Sequence, residues 1–239
     1  MLQVARADYG VDAPAVVRNL AVVGAALSLL SGLGRFGGAP FGFARVLFWP
    51  GISLVGTASW MLFTSRVLKL RQRDRLIDAL ALEGDERVLD VGCGRGLLLV
   101  GAARRLPRGR VVGLDLWRSA DQSGNDPDVT CANARAEGVE ERIQLTTGDM
   151  LEMPFESGSF DAVVSSYAIH NLPGAAARSR ALAEVARVLA PGGRVEIIDI
   201  GLSGNYAREL EKAGLQAESS FTGFAFLLPT WHTRATRDA

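Results

Sequence analysis

The sequence has no excess charge of either sign and few cysteines and histidines. It contains 26 Lys and Arg residues against 26 Asp and Glu residues, so the formal net charge is zero. Without a global basic field, a nucleic-acid partner is not expected. Only two cysteines and two histidines are present, and Cys93 and Cys131 lie far apart in the sequence. We therefore expect neither a disulfide framework nor a metal site.

Charge is also missing locally, from two long apolar stretches in the first quarter of the chain. Leu20–Gly34 is uncharged, and so is Val46–Ser65, whose length matches the thickness of a bilayer core. The second stretch holds Trp49 and Trp60, which suit a membrane interface. The sequence therefore predicts one or two transmembrane helices within residues 1–65. The alternative is a pair of buried helices in a soluble accessory subdomain.

The residues that flank the second stretch predict how it would be oriented. Five basic residues follow it closely: Arg66, Lys69, Arg71, Arg73 and Arg75. The positive-inside rule places this end in the cytoplasm, so the expected location is the cytoplasmic (inner) membrane with the following domain facing the cytoplasm. If both stretches span, they form a hairpin, and if one spans, the N-terminus lies outside. A cleaved signal peptide fits poorly, because no short basic segment directly precedes the first stretch.

After an amphipathic linker helix expected at 66–83, the remaining sequence alternates short apolar strands with helix-length segments. This pattern predicts a doubly wound, mostly parallel α/β sheet over 84–239. Strands are expected at Arg87–Val91, Arg110–Leu114, Ile143–Thr147, Ala162–Ser165 and Arg194–Ile200, with a further pair within Gln216–Thr236. Helices are expected near Gly96–Leu106, Asp128–Glu137, Pro173–Leu189 and Tyr206–Ala213.

The first predicted strand runs into a glycine-rich turn in "RVLDVGCGRGLLLV". Its glycines are Gly92, Gly94 and Gly96. A dinucleotide-binding fingerprint, G-x-G-x-x-G, would need its third glycine three residues after Gly94, where this sequence has Leu97. Asp90 precedes the turn, and a carboxylate there would repel a pyrophosphate and attract an ammonium group. S-adenosylmethionine carries an ammonium and a sulfonium and no phosphate. It is therefore a better match than NAD, although an NAD-dependent oxidoreductase stays the alternative.

Two further aspartates follow the second and third predicted strands. Asp115, in "GLDLW", could accept hydrogen bonds from a ribose diol, which suits either ligand. Asp149, in "TTGDM", could accept from an adenine amino group beside the apolar Met150. Any one aspartate could be only a turn residue. Their recurrence after three successive strands favours a shared ligand.

Taken in order, "VLDVGCGRG", "GLDLW", "GDMLEMPFESGSFDAVVSSYAIHNL" and "EVARVLAPGGRVEIID" resemble a class I S-adenosylmethionine-dependent methyltransferase domain. The resemblance implies a seven-stranded Rossmann-like sheet. It implies cofactor contacts from Asp90, Gly92 and Gly94 to the methionyl part, from Asp115 and Leu116 to the ribose and adenine, from Asp149 and Met150 to the adenine, and from Ser165 and Ser166 at the methionyl end. Cys93, Gly96 and Gly148 complete the expected cofactor-binding set.

The resemblance is strongest to the branch of methyltransferases that act on quinones, sterols and tocopherols. It implies methyl transfer to a small hydrophobic or lipid-like acceptor at the membrane face. A non-catalytic membrane protein that binds S-adenosylmethionine is a further alternative. A general base is needed only if the acceptor loses a proton, and the candidate is His170 in "SSYAIHNLP", with Tyr167 as its neighbour. Otherwise His170 could merely cap the helix expected from Pro173.

Overall fold

The computed structural model describes residues 7–37, 41–118, 124–225 and 228–239. The chain divides into two compact units. The smaller unit comprises residues 10–71, and the larger unit comprises residues 72–239 together with the residues before Gly10.

The smaller unit is built on two apolar helices, α1 (Pro14–Phe36) and α2 (Phe41–Phe63). A Cβ atom on Gly24 would lie 2.8 Å from the Gly51 carbonyl oxygen, so only glycine lets the two backbones approach this closely. Small residues at such a contact are typical of helices that pair in membranes. The amide of Asp12 donates to the Ser65 hydroxyl over 3.1 Å, and the Asp12 carboxylate pairs with Lys69 over 2.6 Å. The start of α1 thus lies beside the end of α2, and the two helices form an antiparallel hairpin.

The outer faces of this hairpin carry exposed apolar side chains, among them Leu29, Leu33, Phe36, Trp49 and Trp60. Both helices are long and apolar enough to cross a membrane by length and composition, the second as part of a continuous helical stretch over Arg45–Ala79. They coincide with the two stretches in which the sequence predicts membrane helices.

The expected linker at 66–83 is not a separate element. A π-helical turn, Thr64–Leu68, joins α2 directly to α3 (Lys69–Ala79). The physical reason is that no proline or glycine occurs between Gly56 and Gly84, so nothing in the sequence interrupts the helix there. The amphipathic character holds, because Leu76 and Ile77 of α3 are buried while Arg75 and Asp78 are exposed. The charged Arg73 is buried as well.

The larger unit contains a seven-stranded sheet in the order β3-β2-β1-β4-β5-β7-β6. The strands are β1 (Arg87–Val91), β2 (Arg110–Asp115), β3 (Ile143–Thr147), β4 (Phe160–Ser166), β5 (Leu189–Ile200), β6 (Gln216–Ala225) and β7 (Leu228–Thr236). The first five are parallel, and β7 runs antiparallel to both β5 and β6. The helices of this unit after α3 are α4 (Leu97–Ala103), α5 (Pro127–Ala136), α6 (Gly174–Val188) and α7 (Tyr206–Lys212). The predicted doubly wound α/β fold is confirmed.

The central strands are largely apolar because helices cover both faces of the sheet. Leu89, Val163 and Ile197, on three neighbouring strands, are almost completely buried in one core cluster. Strand β5 begins at Leu189 rather than at the expected Arg194. Its pairing with β4 is bulged between Phe160 and Ala162, so the "PGG" residues are looped within the strand and not before it.

Candidate active site

The parallel strands β1 to β5 all end at the same edge of the sheet, and the predicted site residues collect there. Gly92, Gly94 and Gly96 leave β1 with φ angles of 71°, 50° and 81°, a conformation that favours glycine. A Cβ on Gly92 would lie 2.3 Å from the Ala168 Cβ and 3.6 Å from the Met150 Cε. The turn after β1 therefore lies against the segments that follow β3 and β4, which gives the site three of its walls.

Two aspartates lie beneath this turn. Asp90 is 2% exposed, and its Oδ2 accepts the Leu99 amide hydrogen bond over 2.8 Å, so it fixes the start of α4 to β1. Burial, with a contribution from the charge of Asp115, raises the pKa of Asp90 to about 8. At neutral pH this carboxyl group is largely protonated, so Asp90 fixes the fold of the turn and does not supply the negative charge that we expected from the sequence to attract an ammonium group.

Asp115 ties several loops together at the end of β2. Its Oδ2 accepts from the Gly94 amide over 2.8 Å, and its Oδ1 accepts from the Trp117 amide over 2.7 Å and from the Asn125 side chain over 3.1 Å. A carboxylate offers about four acceptor positions, so one position on Oδ2 is left for a donor such as a ribose hydroxyl. Leu116, the next residue, is exposed beside it.

The segment after β3 lies close to the end of β2. The Gly148 amide donates to the Asp115 carbonyl over 3.1 Å, and a Cβ on Gly148 would lie 2.7 Å from the Leu114 side chain. Asp149 accepts the Leu151 amide through Oδ1 over 2.9 Å, which shapes the turn and leaves Oδ2 for another donor. Met150 is half-buried. This arrangement suits a flat, apolar group with an amino substituent, as in adenine.

Other predicted cofactor contacts lie deeper in the fold. The Cys93 side chain is buried and packs against Gly113, where a Cβ atom would lie 2.7 Å from the Cys93 sulfur. Cys93 therefore presents only its backbone to the turn. Burial raises the pKa of the Cys93 thiol well above its usual range. The Ser165 hydroxyl is 1% exposed and donates to the Val91 carbonyl over 2.8 Å, which joins β4 to β1. Ser166 is half-buried at the end of β4.

His170 follows β4 and pairs with Asp199 at the end of β5. Its Nδ1 lies 2.6 Å from Asp199 Oδ1, and its amide donates to Asp199 Oδ2 over 2.9 Å. A buried carboxylate at Nδ1 favours the tautomer that leaves the Nε2 lone pair available to accept a proton. Pro173, rather than His170, is the N-cap residue of α6, so the interpretation of His170 as a helix cap has no support.

Tyr206 completes this group, since its hydroxyl donates to Asp199 Oδ2 over 3.1 Å. Burial, together with the charge of Asp199, raises the pKa of Tyr206, so this hydroxyl stays protonated and remains a donor. Tyr167 adopts a φ of 52°, uncommon for a residue with a side chain, and its hydroxyl donates to the Gln72 side chain over 3.3 Å.

Several residues of the site have no role in the sequence-based prediction. Asp199 could have been found by the rule that located Asp115 and Asp149, because it also stands at the carboxyl end of a parallel strand. Thr130 and Asn133 of α5 donate to the carbonyls of Gly94 and Arg95, over 2.6 Å and 2.9 Å. No local sequence pattern predicts these hydrogen bonds, because they depend on how α5 packs against the turn after β1.

Fold and site together define an S-adenosylmethionine-binding domain of the Rossmann-like class. Residues 89–197 match the family described as "Methyltransferase domain". Within the larger unit, this matched segment is a methyltransferase domain of the class I type, whose cofactor is S-adenosylmethionine. The chain is 31% identical over 157 residues to the ubiquinone/menaquinone biosynthesis C-methyltransferase UbiE of Dinoroseobacter shibae, an alignment covering 66% of this chain and 56% of that protein. The chain spans about half the length of the curated relatives it matches.

Solved structures share this fold over about 70% of the chain. The crystal structure of the [4+2]-cyclase SpnF matches with a TM-score of 0.60 at 17% identity, over 71% of this chain and 82% of that one. A geranyl diphosphate C-methyltransferase from Streptomyces coelicolor, in complex with S-adenosyl-L-homocysteine, matches with a TM-score of 0.57 at 19% identity, over 72% of this chain and 80% of that one. These similarities establish the fold.

The buried carboxyl group of Asp90 predicts an unusual dependence of stability on pH. Because its pKa is about 8 in the folded chain and near 4 when unfolded, the folded state holds an extra proton between those values. The titration of Asp90 therefore lowers the free energy of unfolding as pH rises from 4 to 8, by at most about 1.4 kcal/mol per pH unit. Asp90→Asn mimics the protonated form and should flatten this slope when melting temperature is measured from pH 5 to pH 8. An unchanged slope would contradict the assignment.

Proposed function

We propose that this protein transfers a methyl group from S-adenosylmethionine to a small hydrophobic acceptor at the cytoplasmic face of a membrane. The observation that carries the proposal is the pairing of His170 with the buried Asp199, at the edge of the sheet where the cofactor turn lies. The pair supplies a base beside the cofactor site, and the cofactor supplies an activated methyl group.

The chain's own residues mainly position the reactants. When bound, S-adenosylmethionine would supply a sulfonium-activated methyl group for an in-line displacement by the acceptor atom. Gly92 and Gly94 let the backbone approach the methionyl part, while Asp115 holds the ribose. Such positioning can lower a barrier by up to roughly 7–11 kcal/mol, so no nucleophile from the protein is required.

His170 removes a proton from the acceptor where the acceptor atom carries one. Asp199 holds the imidazole through Nδ1 and stabilises the imidazolium that forms when Nε2 takes the proton. Tyr206 and the Ile200 amide donate to the same carboxylate, over 3.1 Å and 2.9 Å, and keep it in place. Such a base serves a phenol, an enol or an acidic carbon, the groups whose methylation requires deprotonation.

The hydrophobic character of the acceptor is supported by two independent features. The similar protein UbiE is described as a methyltransferase of ubiquinone and menaquinone biosynthesis. The chain also carries two apolar helices of membrane-spanning length. Anchoring by these helices would hold the catalytic domain at the surface of the phase that dissolves such an acceptor. The basic residues from Arg66 to Arg75 support a cytoplasmic orientation of the domain.

The alternative functions differ in how well the site supports them. The methyltransferase match and Leu97, at the position where a dinucleotide fingerprint needs glycine, disfavour an NAD-dependent oxidoreductase. A protein that binds S-adenosylmethionine without methyl transfer is the stronger rival, because a [4+2]-cyclase shares this fold and fold alone does not define the reaction. The His170–Asp199 pair favours catalysis.

A labelled-methyl assay tests the activity directly. The purified chain, given methyl-labelled S-adenosylmethionine and a total lipid extract, should transfer label to a product identifiable by mass spectrometry. His170→Gln should lower kcat by about 10²-fold or more, the usual contribution of a general base, and leave cofactor affinity unchanged. Asp199→Asn should shift the pH profile of kcat, whereas the exposed-site control Glu156→Gln should match the wild type. Full activity in His170→Gln would remove the proposed base, and the absence of any labelled product would favour the non-catalytic rival.

Membrane fractionation tests the location separately. If α1 and α2 span the bilayer, the full chain should stay in the membrane pellet after an alkaline carbonate wash, because burial of about twenty apolar residues per helix resists extraction. A known peripheral protein in the same sample, released by the wash, provides the control. Recovery of the full chain in the soluble fraction would refute the anchoring and leave methyl transfer intact.

A further inference from the structure

A cluster of exposed aromatic and aliphatic side chains occupies the hairpin of β6 and β7. Phe221 is 51% exposed, Phe224 is 73% exposed and Leu228 is 45% exposed. The ring of Phe221 lies edge-on to those of Phe224 and Trp231, with centroid distances of 5.3 Å and 5.7 Å. We call these four residues the hairpin patch. The patch has an ordered geometry, since neighbouring rings brace one another.

The strand register places the hairpin patch at the active-site edge of the sheet. Trp231 stands opposite Asp199 and opposite Phe221, so these positions share one face of the sheet. The last pairing between β5 and β7 joins Ile200 to Thr230, and the hairpin continues beyond it to the pairing of Ala225 with Leu228. The exposed end of the hairpin thus projects past the carboxyl end of β5, beside the residue that orients His170.

The chemistry of the hairpin points to a lipid surface as its partner. From Ser219 to Thr233 the sequence contains no Asp, Glu, Lys or Arg. Charge returns immediately on both strands, with Glu218 and Arg234 paired at 3.5 Å. An uncharged aromatic tip bounded by charged residues is suited to the interfacial region of a bilayer, where aromatic rings partition favourably and charges stay in water.

The size of the patch also disfavours a protein partner. Its three most exposed side chains offer on the order of 300 Å² of surface. A stable protein interface needs about 800 Å² on each partner, so a second copy of this chain would find too little area here. A bilayer contact has no such threshold when an anchor in the same chain already raises the local lipid concentration. The apolar helices α1 and α2 provide such an anchor by length and composition.

We propose that the hairpin patch inserts into the headgroup region of the bilayer as a membrane contact separate from α1 and α2. The contact sets the active-site edge of the sheet against the membrane surface. An acceptor dissolved in lipid can then reach His170 without crossing water. This inference rests on the proposed membrane location and adds a second lipid-binding element, which needs no methyl transfer to be tested.

Photo-crosslinking in vesicles tests this contact with the full chain. The chain is reconstituted into vesicles of phosphatidylethanolamine and phosphatidylglycerol, with Phe224 replaced by the photoreactive p-benzoylphenylalanine. The matched control carries the same group at Arg108, an exposed position at the opposite edge of the sheet, just before β2. Both variants replace exposed side chains, and binding of S-adenosylmethionine by calorimetry verifies that they are folded.

The two positions should react differently under illumination. We expect about tenfold more lipid adduct, measured by mass spectrometry, at 224 than at 108, because a group in the headgroup region meets lipid at high local concentration. Adding Leu228→Asp to the Phe224 variant should reduce that adduct, since a carboxylate opposes insertion. A crosslink to a second protein copy, equal adduct at both positions, or failure of the chain to associate with the vesicles would each overturn the proposal. None of these results depends on activity, so the labelled-methyl assay tests the methyltransferase proposal independently.

Discussion

The carboxylate of Asp115 is the interaction on which the rest of the site depends. It accepts hydrogen bonds from the glycine turn after β1, from the backbone after β2 and from Asn125 before α5. Three separate pieces of chain therefore converge on one anion. Its charge also acts on the buried Asp90, whose pKa rises to about 8. Asp115 thus fixes the shape of a turn whose glycines let a ligand approach the backbone closely.

A second carboxylate organises the acceptor side in the same way. Asp199 is almost completely buried and receives hydrogen bonds from His170, Tyr206 and the Ile200 amide. Asp115 and Asp199 stand at the carboxyl ends of β2 and β5, with the two strands β1 and β4 between them. The edge of the sheet thus separates the residues that we propose for the cofactor from those that we propose for proton transfer. In that proposal, a methyl donor and a base face each other without competing for the same residues.

Much of the fold could be predicted from the sequence, because strand and helix periods are local properties. The predicted bounds of β1 and β3 match the structure, and the two apolar stretches lie within α-helices, except that Thr64 and Ser65 fall in a π-helical turn. The start of β5 was missed because a bulge that holds "PGG" within a strand depends on the neighbouring strand. A separate linker helix was predicted because the sequence changes from apolar to charged residues after Ser65. Its continuity with α2 through Thr64–Leu68 was missed, although no helix-breaking residue occurs there.

The same distinction between local and long-range contacts holds for the site residues. The glycine turn, Asp115 and Asp149 follow from motif spacing, and the structure places them at one edge. The roles of Ser165 and Cys93 could not be predicted, because their burial depends on contacts with β1 and β2. The partnership of His170 with Asp199 spans 29 residues and exists only once β4 and β5 are paired. Long-range contacts of this kind are set by topology, which sequence spacing alone does not encode.

The most direct measurement is calorimetric titration of the full chain with S-adenosylmethionine. The wild type and the exposed-site control Glu156→Gln should bind with equal affinity. Asp115→Asn keeps the size of the side chain but removes its charge, and should weaken binding about tenfold or more, since hydrogen bonds to a charged group contribute roughly 1.5–3 kcal/mol. NADH should give no binding heat. An Asp115→Asn variant that binds as tightly as the wild type, or a wild type that binds NADH instead, would contradict the account.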